Sequence, residues 1–387
     1  MLCLAASLTF RSSTMLINAG EKTGRLNYED LMANVFGNAG IYMFCFFAGV
    51  LTFGAMSAYL VIVGDTIPAI LFASGLTSGT LAERNWVIVV VGAFCVLPVS
   101  LLRDLSKLSF TSLVSILADV MLTFIVIIAG PSEASGNPHI DRSDIYTFIR
   151  PTVFAGFGAI SFAFVCQHSS FLVYRSMAKR GSERWASVSG WSAFIALVIG
   201  LALAIGGYLS FANETQGNVL NNFSPGHAPA NFARAFLGLT MIFTYPVEMY
   251  VARHVLDVAI FQTLLGQGPR TSHRHFWITV LIWSGTMILA LATRNLGSIL
   301  EIFGAFAGSA LAFIMPPGLH IKLHEAELRE ALALWKKDSP EYNPVLGDRL
   351  RALGDFCIPA SMVVFGVVMM VAGVSTAVLH ELSPTRA

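Results

Sequence analysis

The stretch from Pro151 to Met177 decides the fold, and it reads PTVFAGFGAISFAFVCQHSSFLVYRSM. No Asp, Glu, Lys or Arg occurs from Pro151 to Tyr174, and this length suffices to cross a bilayer core of about 30 Å. The first half contains Gly156 and Gly158, and residues 166–170 in the second half are polar or weakly polar. The pattern predicts a membrane-spanning segment that is interrupted rather than one smooth helix.

The polar run at residues 166–170 has two interpretations. Polar groups at membrane depth are costly against lipid, and they are tolerated where a helix is interrupted and lines a cavity inside the protein. In many secondary transporters such a break carries the substrate site, because its exposed backbone groups hold the charged ends of the substrate. The alternative is an ordinary buried span whose hydroxyls bond back to their own helix. We favour the cavity.

The composition is that of a polytopic membrane protein. Hydrophobic residues make up 55% of the 387 and charged residues 12%, whereas soluble domains carry about a quarter charged residues. No basic run indicates nucleic acid as a partner, and no GxxxxGK[ST] motif indicates an ATP-driven pump. The five cysteines lie in apolar stretches without metal-ligand spacing. No nucleophile, acid–base pair or metal cluster indicates an enzyme.

Long apolar runs recur along the chain and predict nine full spans in a single polytopic transmembrane domain, residues 1–387. A shorter apolar segment, Met1–Phe10, precedes them; as a helix it reaches about 15 Å, so it is typical of the end of a longer span. Residues 20–36 are expected to form a polar connection. The predicted spans are Asn38–Gly64, Asn85–Leu102, Leu108–Gly130, Pro151–Met177, Ala186–Asn213, Phe232–Phe261, His275–Thr293, Leu296–Ile321 and Phe356–His380.

The charges of the connecting loops predict the orientation. Lys and Arg are concentrated in alternate loops, among them Arg103 and Lys107, and such loops face the cytosol. This assignment places residues 323–355 in a cytosolic loop and two N-x-[ST] sequons on the outer or lumenal face. The sequons predict glycosylation at Asn213 and Asn222, which agrees with the orientation.

Several charged residues lie inside the predicted spans. Asp119 is either a proton or cation site or a neutral group bonded to a neighbouring helix, and the sequence leaves both open. Arg253 and Asp257 have the four-residue spacing of a structural ion pair on one helix. Glu248 has no basic residue three or four positions away, so it requires a partner from elsewhere.

Two further patterns concern the backbone within the spans. Pro246 follows Thr244 closely and frees a backbone carbonyl one turn earlier. Carbonyls beside a hydroxyl suit Na⁺, which prefers oxygen ligands; the alternative is a kinked helix with a satisfied threonine, which the spacing alone slightly favours. Residues 304–310, GAFAGSA, are mostly small and predict close helix packing.

Three motifs resemble sequences of the amino acid/auxin permease family: SFAFVCQHSSFLVYRSM at 161–177, VGDTIP at 63–68 and TYPVEMYVAR at 244–253. Within the family, the similarity is greatest to sodium-coupled neutral amino acid transporters and vacuolar amino acid transporters, in register from about Leu16 to the C-terminus. The resemblance implies an all-α integral membrane protein with an inverted-repeat transporter fold. That fold has eleven spans, ten of them in two inverted five-helix repeats, with substrate and ion sites between the broken first and sixth helices.

On this chain the resemblance implies ten of the eleven spans, the first of them partial. The remainder of the first repeat falls in residues 1–130, the second repeat in 151–322 and the last span in 356–380. The family's glycine-rich first helix has no counterpart, since Met1–Ile17 matches only the end of the second helix. The expectation is either a truncated gene model or isoform or a chain that is not a competent transporter, and we favour truncation.

The resemblance also implies site residues. Residues 151–177 correspond to the family's broken sixth helix, and the candidate substrate-binding residues are Ser161, Phe164, Cys166, Gln167 and His168. Thr244 falls on the eighth helix, where similar transporters place a sodium-ligating threonine, which makes the ion-site and kinked-helix interpretations equal. The implied coupling ion is Na⁺ or H⁺, with no cofactor and no metal site besides.

We therefore expect a secondary active transporter, not an enzyme, that moves neutral amino acids by alternating access. The expected membrane is vacuolar, lysosomal or plasma membrane, and the expected partners are a small-molecule amino acid and the lipid bilayer, without nucleic acid. The alternatives are a non-transporting membrane receptor that binds amino acids and a truncated inactive isoform. The sequence determines neither the amino acid nor the ion nor the oligomeric state.

Overall fold

A computed structural model of the chain describes residues 1–75, 83–102, 109–135, 139–141, 153–268, 271–327, 329 and 346–382. Arg103, Lys107, Pro151 and most of the predicted loop 323–355 lie outside the described residues. Within them, all regular secondary structure is helical. The helices are α1 (Leu2–Thr23), α2 (Tyr28–Ala73), α3 (Arg84–Ser100), α4 (Ser109–Ser135), α5 (Val153–Phe164), α6 (Gln167–Ser176), α7 (Ser182–Phe211), α8 (Ala228–Leu264), α9 (Ser272–Ala292), α10 (Leu296–Leu323) and α11 (Leu346–Leu382).

Among the described residues, eight helical segments are long and apolar enough to cross a membrane. They confirm a multi-pass, all-helical protein. Asn85–Leu102, predicted as a full span, forms the shorter apolar helix α3, Arg84–Ser100. The eight segments are Tyr28–Ala73, Ser112–Ser135, Val153–Ser176, Ser182–Glu214, Ala228–Leu264, Ser272–Ala292, Leu296–Leu323 and Phe356–Leu382.

The prediction of a polar connection at residues 20–36 is wrong. Helix α1 continues to Thr23, where Gly24 ends it in the left-handed conformation, with φ 69°. Helix α2 already begins at Tyr28, and its first turn carries two acidic residues, which the positive end of the helix dipole stabilises. The non-helical backbone at Gly37, with φ 64° and ψ −153°, then bends α2. Composition alone suggested a loop because these helix ends are polar.

Helices α2 and α10 form the centre of the bundle. In their apolar windows 61% and 67% of the residues are buried, against 17% in α7, which lies at the periphery. One apolar cluster joins Leu16 of α1, Tyr28 of α2, Phe171 of α6 and Leu311 of α10. The two halves of the 151–177 region are therefore held against the central helices rather than surrounded by lipid.

Small residues allow α5 to approach α10 until the two backbones touch. A Cβ added to Gly158 would lie 2.3 Å from the carbonyl oxygen of Glu301, and one added to Gly304 would lie 2.0 Å from the carbonyl oxygen of Gly158. The neighbouring Ala305 and Ala307 are fully or almost fully buried. The close packing predicted from residues 304–310 is confirmed, and it fixes the position of α5 beside the helix break.

Candidate functional site

The predicted interruption of the 151–177 helix is confirmed. Helix α5 ends at Phe164 and α6 begins at Gln167, so Val165 and Cys166 form a two-residue break. The backbone of Cys166 is non-helical, with φ −132° and ψ 0°. The break lies midway along the candidate span Val153–Ser176. Non-helical backbone at membrane depth is tolerated where it lines a cavity within the protein.

A cavity of about 230 Å³ lies at the break. The break contributes Phe164, Val165 and Cys166 to its wall, and Cys166 is exposed. Hydroxyls from α1, α6 and α7 line the remainder of it, at Thr9, Ser13, Ser169, Ser170, Ser189 and Ser192. This mixture of apolar walls and a few hydroxyls is typical of small-molecule sites.

The hydroxyls of α6 also bond back to their own helix, as the alternative interpretation predicted. Ser169 Oγ and Ser170 Oγ both donate to the carbonyl oxygen of Cys166, at 3.2 and 2.9 Å. They close the first turn of α6, as hydroxyls bonded back to their own helix do. The cavity and the back-bonded hydroxyls therefore coexist, because the bonds stabilise the end of the half-helix that faces the cavity.

The side chain of Gln167 connects the helix break to α1 by hydrogen bonds. It is fully buried; its Oε1 accepts from the backbone N–H of Cys166 at 3.0 Å, and its Nε2 donates to Ser12 Oγ at 3.2 Å. Ser12 Oγ in turn donates to the carbonyl oxygen of Ala312 on α10. The side chain predicted to contact substrate thus has a structural task, since it connects the start of α6 to α1 and α10.

The other candidate residues lie around the break in different environments. Ser161 is fully buried, and its hydroxyl has no hydrogen-bond partner among the described residues. Phe164 is buried in a cluster with Phe157 and Phe313 and also borders the cavity. Cys166 is the most accessible of the group. The structure therefore brings these side chains to one region, where an unsatisfied hydroxyl and an exposed thiol flank the break.

His168 lies in the first turn of α6 and is the partner that Glu248 requires. Its Nε2 is 3.5 Å from Glu248 Oε2 on α8, and the two side chains are only 8% and 17% exposed. His168 Nδ1 is buried without a hydrogen-bond partner among the described residues. Tyr59 on α2 lies within electrostatic reach of Glu248. The sequence did not predict this pairing, because the two residues are 80 positions apart and no local pattern links them.

Thr244 and its neighbours make contacts within and between helices. Thr244 Oγ1 donates to the carbonyl oxygen of Thr240 at 2.8 Å, and Tyr245 OH shares a 2.7 Å hydrogen bond with Thr286 Oγ1 of α9. Helix α8 continues through Pro246. The hydroxyl of Thr244 is satisfied within its own helix, while its role as an ion ligand stays a prediction.

The pair predicted at Arg253 and Asp257 has other partners. Asp257 forms an ion pair with Arg274 at the start of α9, 3.0 Å apart. Arg253 is buried and donates to the carbonyl oxygen of Ser100 at 2.8 Å and to Thr279 Oγ1 at 2.9 Å. These contacts link α8 to neighbouring helices, whereas the spacing predicted an ion pair within one helix.

The end of the bundle that carries the sequons is polar. Asn213 is exposed and its Oδ1 accepts from the backbone N–H of Asp141 at 2.8 Å, while Asn222 Nδ2 donates to the carbonyl oxygen of Glu214 at 2.6 Å. A cavity of about 380 Å³ opens beside them, between Asp65 of α2 and the start of α10. Asp65, which lines this cavity, pairs with Arg84 at 3.3 Å.

Helix α6 is anchored at its other end to α1 and α2. Tyr174 OH donates to a carboxylate oxygen of Glu21, and Arg175 donates to the side-chain oxygen of Asn27. Beyond the spans, Lys22 donates to Glu327 at 2.7 Å, and this hydrogen bond lowers the pKa of the Glu327 carboxyl. The half-helix that begins at the break is therefore fixed at both ends.

Comparison with known proteins supports one family across the chain. The model of the family described as transmembrane amino acid transporter protein matches residues 1–378. The "Putative sodium-coupled neutral amino acid transporter 11" of Mus musculus is 31% identical over 328 residues, covering 84% of this chain and 71% of that protein. The "Vacuolar amino acid transporter 2" of Saccharomyces cerevisiae is 29% identical, covering 82% and 67%. The "Sodium-coupled neutral amino acid transporter 7" of Xenopus laevis is 27% identical, covering 83% and 73%.

Proposed function

This chain belongs to the transmembrane amino acid transporter family, and from that premise we propose that it is a secondary active transporter of neutral amino acids. It works by alternating access and is coupled to Na⁺ or H⁺. The observation that carries the proposal is the helix break at Val165 and Cys166, which opens onto a cavity at membrane depth. Breaks of this kind bind the charged ends of a substrate while the rest of the bundle excludes water.

The relatives support the choice of substrate and of membrane. Two of those described above are named as sodium-coupled neutral amino acid transporters and one as a vacuolar amino acid transporter. All are named as transporters and none as an enzyme. A vacuolar, lysosomal or plasma membrane is consistent with these names and with a multi-pass bundle.

The proposed architecture is the inverted-repeat transporter fold. Residues 1–130 hold the remainder of the first repeat and residues 151–322 the second, followed by a cytosolic loop at 323–355 and a last span at 356–380. The order of helices α1 to α11 is compatible with this division. The orientation puts Asn213 and Asn222 on the outer or lumenal face, where they are glycosylated; a mobility shift on glycosidase treatment measures this directly.

The five candidate residues act in two ways in this proposal. Ser161, Phe164, Cys166 and His168 contact the amino acid. Gln167 also holds the break in the shape that binds it, through its bonds to Cys166 and Ser12. Thr244 stands as the proposed sodium ligand if the coupling ion is Na⁺. No other cofactor is required, because transport involves no covalent step.

An ion gradient supplies enough free energy for accumulation. One charge that moves down a potential of 100 mV yields about 2.3 kcal/mol, which corresponds to roughly fifty-fold accumulation. We expect purified protein in vesicles to concentrate labelled alanine or glutamine when a Na⁺ or a pH gradient is imposed separately. Saturable binding without accumulation under either gradient would contradict transport and favour a receptor instead.

A further inference from the structure

The pair of His168 and Glu248 lies in an unusual place for two ionisable groups. Each is near the middle of its candidate span, Val153–Ser176 and Ala228–Leu264, and the nitrogen and oxygen that face each other are 3.5 Å apart. A buried charge at this depth is expensive unless it is paired or neutralised, and such residues mark ion or proton pathways. The pair also bridges the second half of the broken helix to α8.

The pair has the chemistry of a proton site. With neutral His168 and ionised Glu248 its net charge is −1, and one added proton makes it neutral, either as an ion pair or as two uncharged groups. Imidazole is the side chain that titrates nearest to physiological pH. Na⁺ prefers oxygen ligands, and one half of this pair offers only nitrogen. The composition of the pair therefore favours H⁺ over Na⁺.

A second observation concerns the other nitrogen of the imidazole. His168 Nδ1 is buried and has no hydrogen-bond partner in the part of the chain that the structure describes, although its side chain is only 8% exposed. A protonated imidazole carries an N–H on both nitrogens, so Nδ1 then becomes a hydrogen-bond donor that requires an acceptor. The carboxylate of a bound amino acid is such an acceptor, and a charge-assisted bond to it is strong.

Several other titratable groups on the packed helices have partners of their own. Glu21 of α1 accepts from Tyr174, and Glu29 of α2 is paired with His254 at 2.9 Å. The hydroxyl of Tyr59 on α2 is close enough to Glu248 to interact with the charge of its carboxylate. On α9, His275 contacts the backbone oxygen of Leu101, and on α4 Asp119 is exposed at the bundle surface. Among the described residues, His168 and Glu248 are the ionisable pair that joins the second half of the broken helix to α8.

We propose that His168 and Glu248 form the proton-binding site that couples transport to a pH gradient, and that the proton on His168 strengthens binding of the substrate carboxylate. This inference rests on the proposed transport function and selects H⁺ from its two ions. By linkage, the proton and the amino acid increase each other's affinity by the same factor. Transport then carries one proton with each amino acid.

The test is equilibrium binding and gradient-driven uptake by the full chain. Purified protein should bind alanine more tightly as the pH falls, by up to about ten-fold per pH unit, as one linked proton requires. Glu248→Gln and His168→Gln should remove this slope. In vesicles with the membrane potential clamped, a pH gradient should drive alanine accumulation by the wild type, and Glu248→Gln should reduce it at least ten-fold. Any residual exchange in the variant should not depend on pH.

The matched control is Glu29→Gln, which also neutralises a carboxylate paired with a histidine, 2.9 Å from His254, but in the first turn of α2 rather than at the helix break. It should keep both the binding slope and the accumulation. A wild-type slope of zero, an unchanged slope in Glu248→Gln, or accumulation driven by Na⁺ alone would each overturn the proton site and leave transport standing. If the wild type neither exchanges nor accumulates any neutral amino acid, the transport function and this inference are both overturned.

Discussion

Replacing Gly158 with valine is expected to destabilise the helical bundle strongly. A Cβ at this position would lie 2.3 Å from the carbonyl oxygen of Glu301, and the obstacle is backbone, which has no rotamer to move into. Overpacking of a close-packed interior costs about 1–3 kcal/mol even where side chains adjust. We expect more than about 3 kcal/mol here, together with loss of uptake, because α5 positions the helix break.

The same helix supplies the control for this prediction. Gly156 is two residues away on α5, and a Cβ there would have nothing within 4 Å. Gly156→Val introduces the same β-branched side chain into the same helix, so both variants share the intrinsic cost of valine in a helix. Thermal melting of the purified proteins in detergent compares them. Equal melting temperatures for the two variants would show that the contact between α5 and α10 does not limit stability.

Gln167→Leu is expected to reduce the efficiency of uptake about ten- to hundred-fold while the protein still folds. Leucine has a similar size, but it leaves the backbone N–H of Cys166 without its acceptor and removes the bond to Ser12. An unsatisfied buried donor costs about 1–3 kcal/mol, and each 1.4 kcal/mol corresponds to a factor of ten. The cost falls on the geometry of the break, where the substrate is proposed to bind.

The control is Ser176→Ala at the other end of α6. That hydroxyl donates to the carbonyl oxygen of Val173 at 2.7 Å and is exposed, so its removal disturbs neither the break nor the cavity. Initial uptake rates are measured at equal surface expression of the two variants. If Gln167→Leu transports as well as Ser176→Ala, the side chain of Gln167 does not hold the break in its functional shape.

Much of the fold follows from the sequence because bilayer thickness imposes a length on each span. The interruption at residues 165–166 was predictable, since glycines and a polar run cannot coexist with a smooth lipid-facing helix. The close packing at Gly304 was predictable from small residues. The ends of α1 and α2 were not, because a helix that emerges from the membrane becomes polar and resembles a loop.

The contacts of the candidate site were less predictable than its position. The sequence shows that Glu248 needs a partner, but only the packing of α6 against the bundle brings His168 to it. Likewise Gln167 and Ser12 are 155 residues apart, and no local pattern connects them. Hydrogen bonds between distant helices depend on crossing angles and depths, which periodicity does not encode.

Substrate protection of Cys166 tests most directly whether an amino acid binds at the helix break. In a variant that retains Cys166 as its single cysteine, a small maleimide should alkylate this exposed thiol. Saturating alanine should slow the reaction, with the same concentration dependence as uptake. A second variant that retains only Cys357, which is exposed at the start of the candidate span Phe356–Leu382, should react at a rate that alanine does not change. An unchanged alkylation rate at Cys166 in protein that still transports alanine would place the substrate elsewhere and contradict the proposed site.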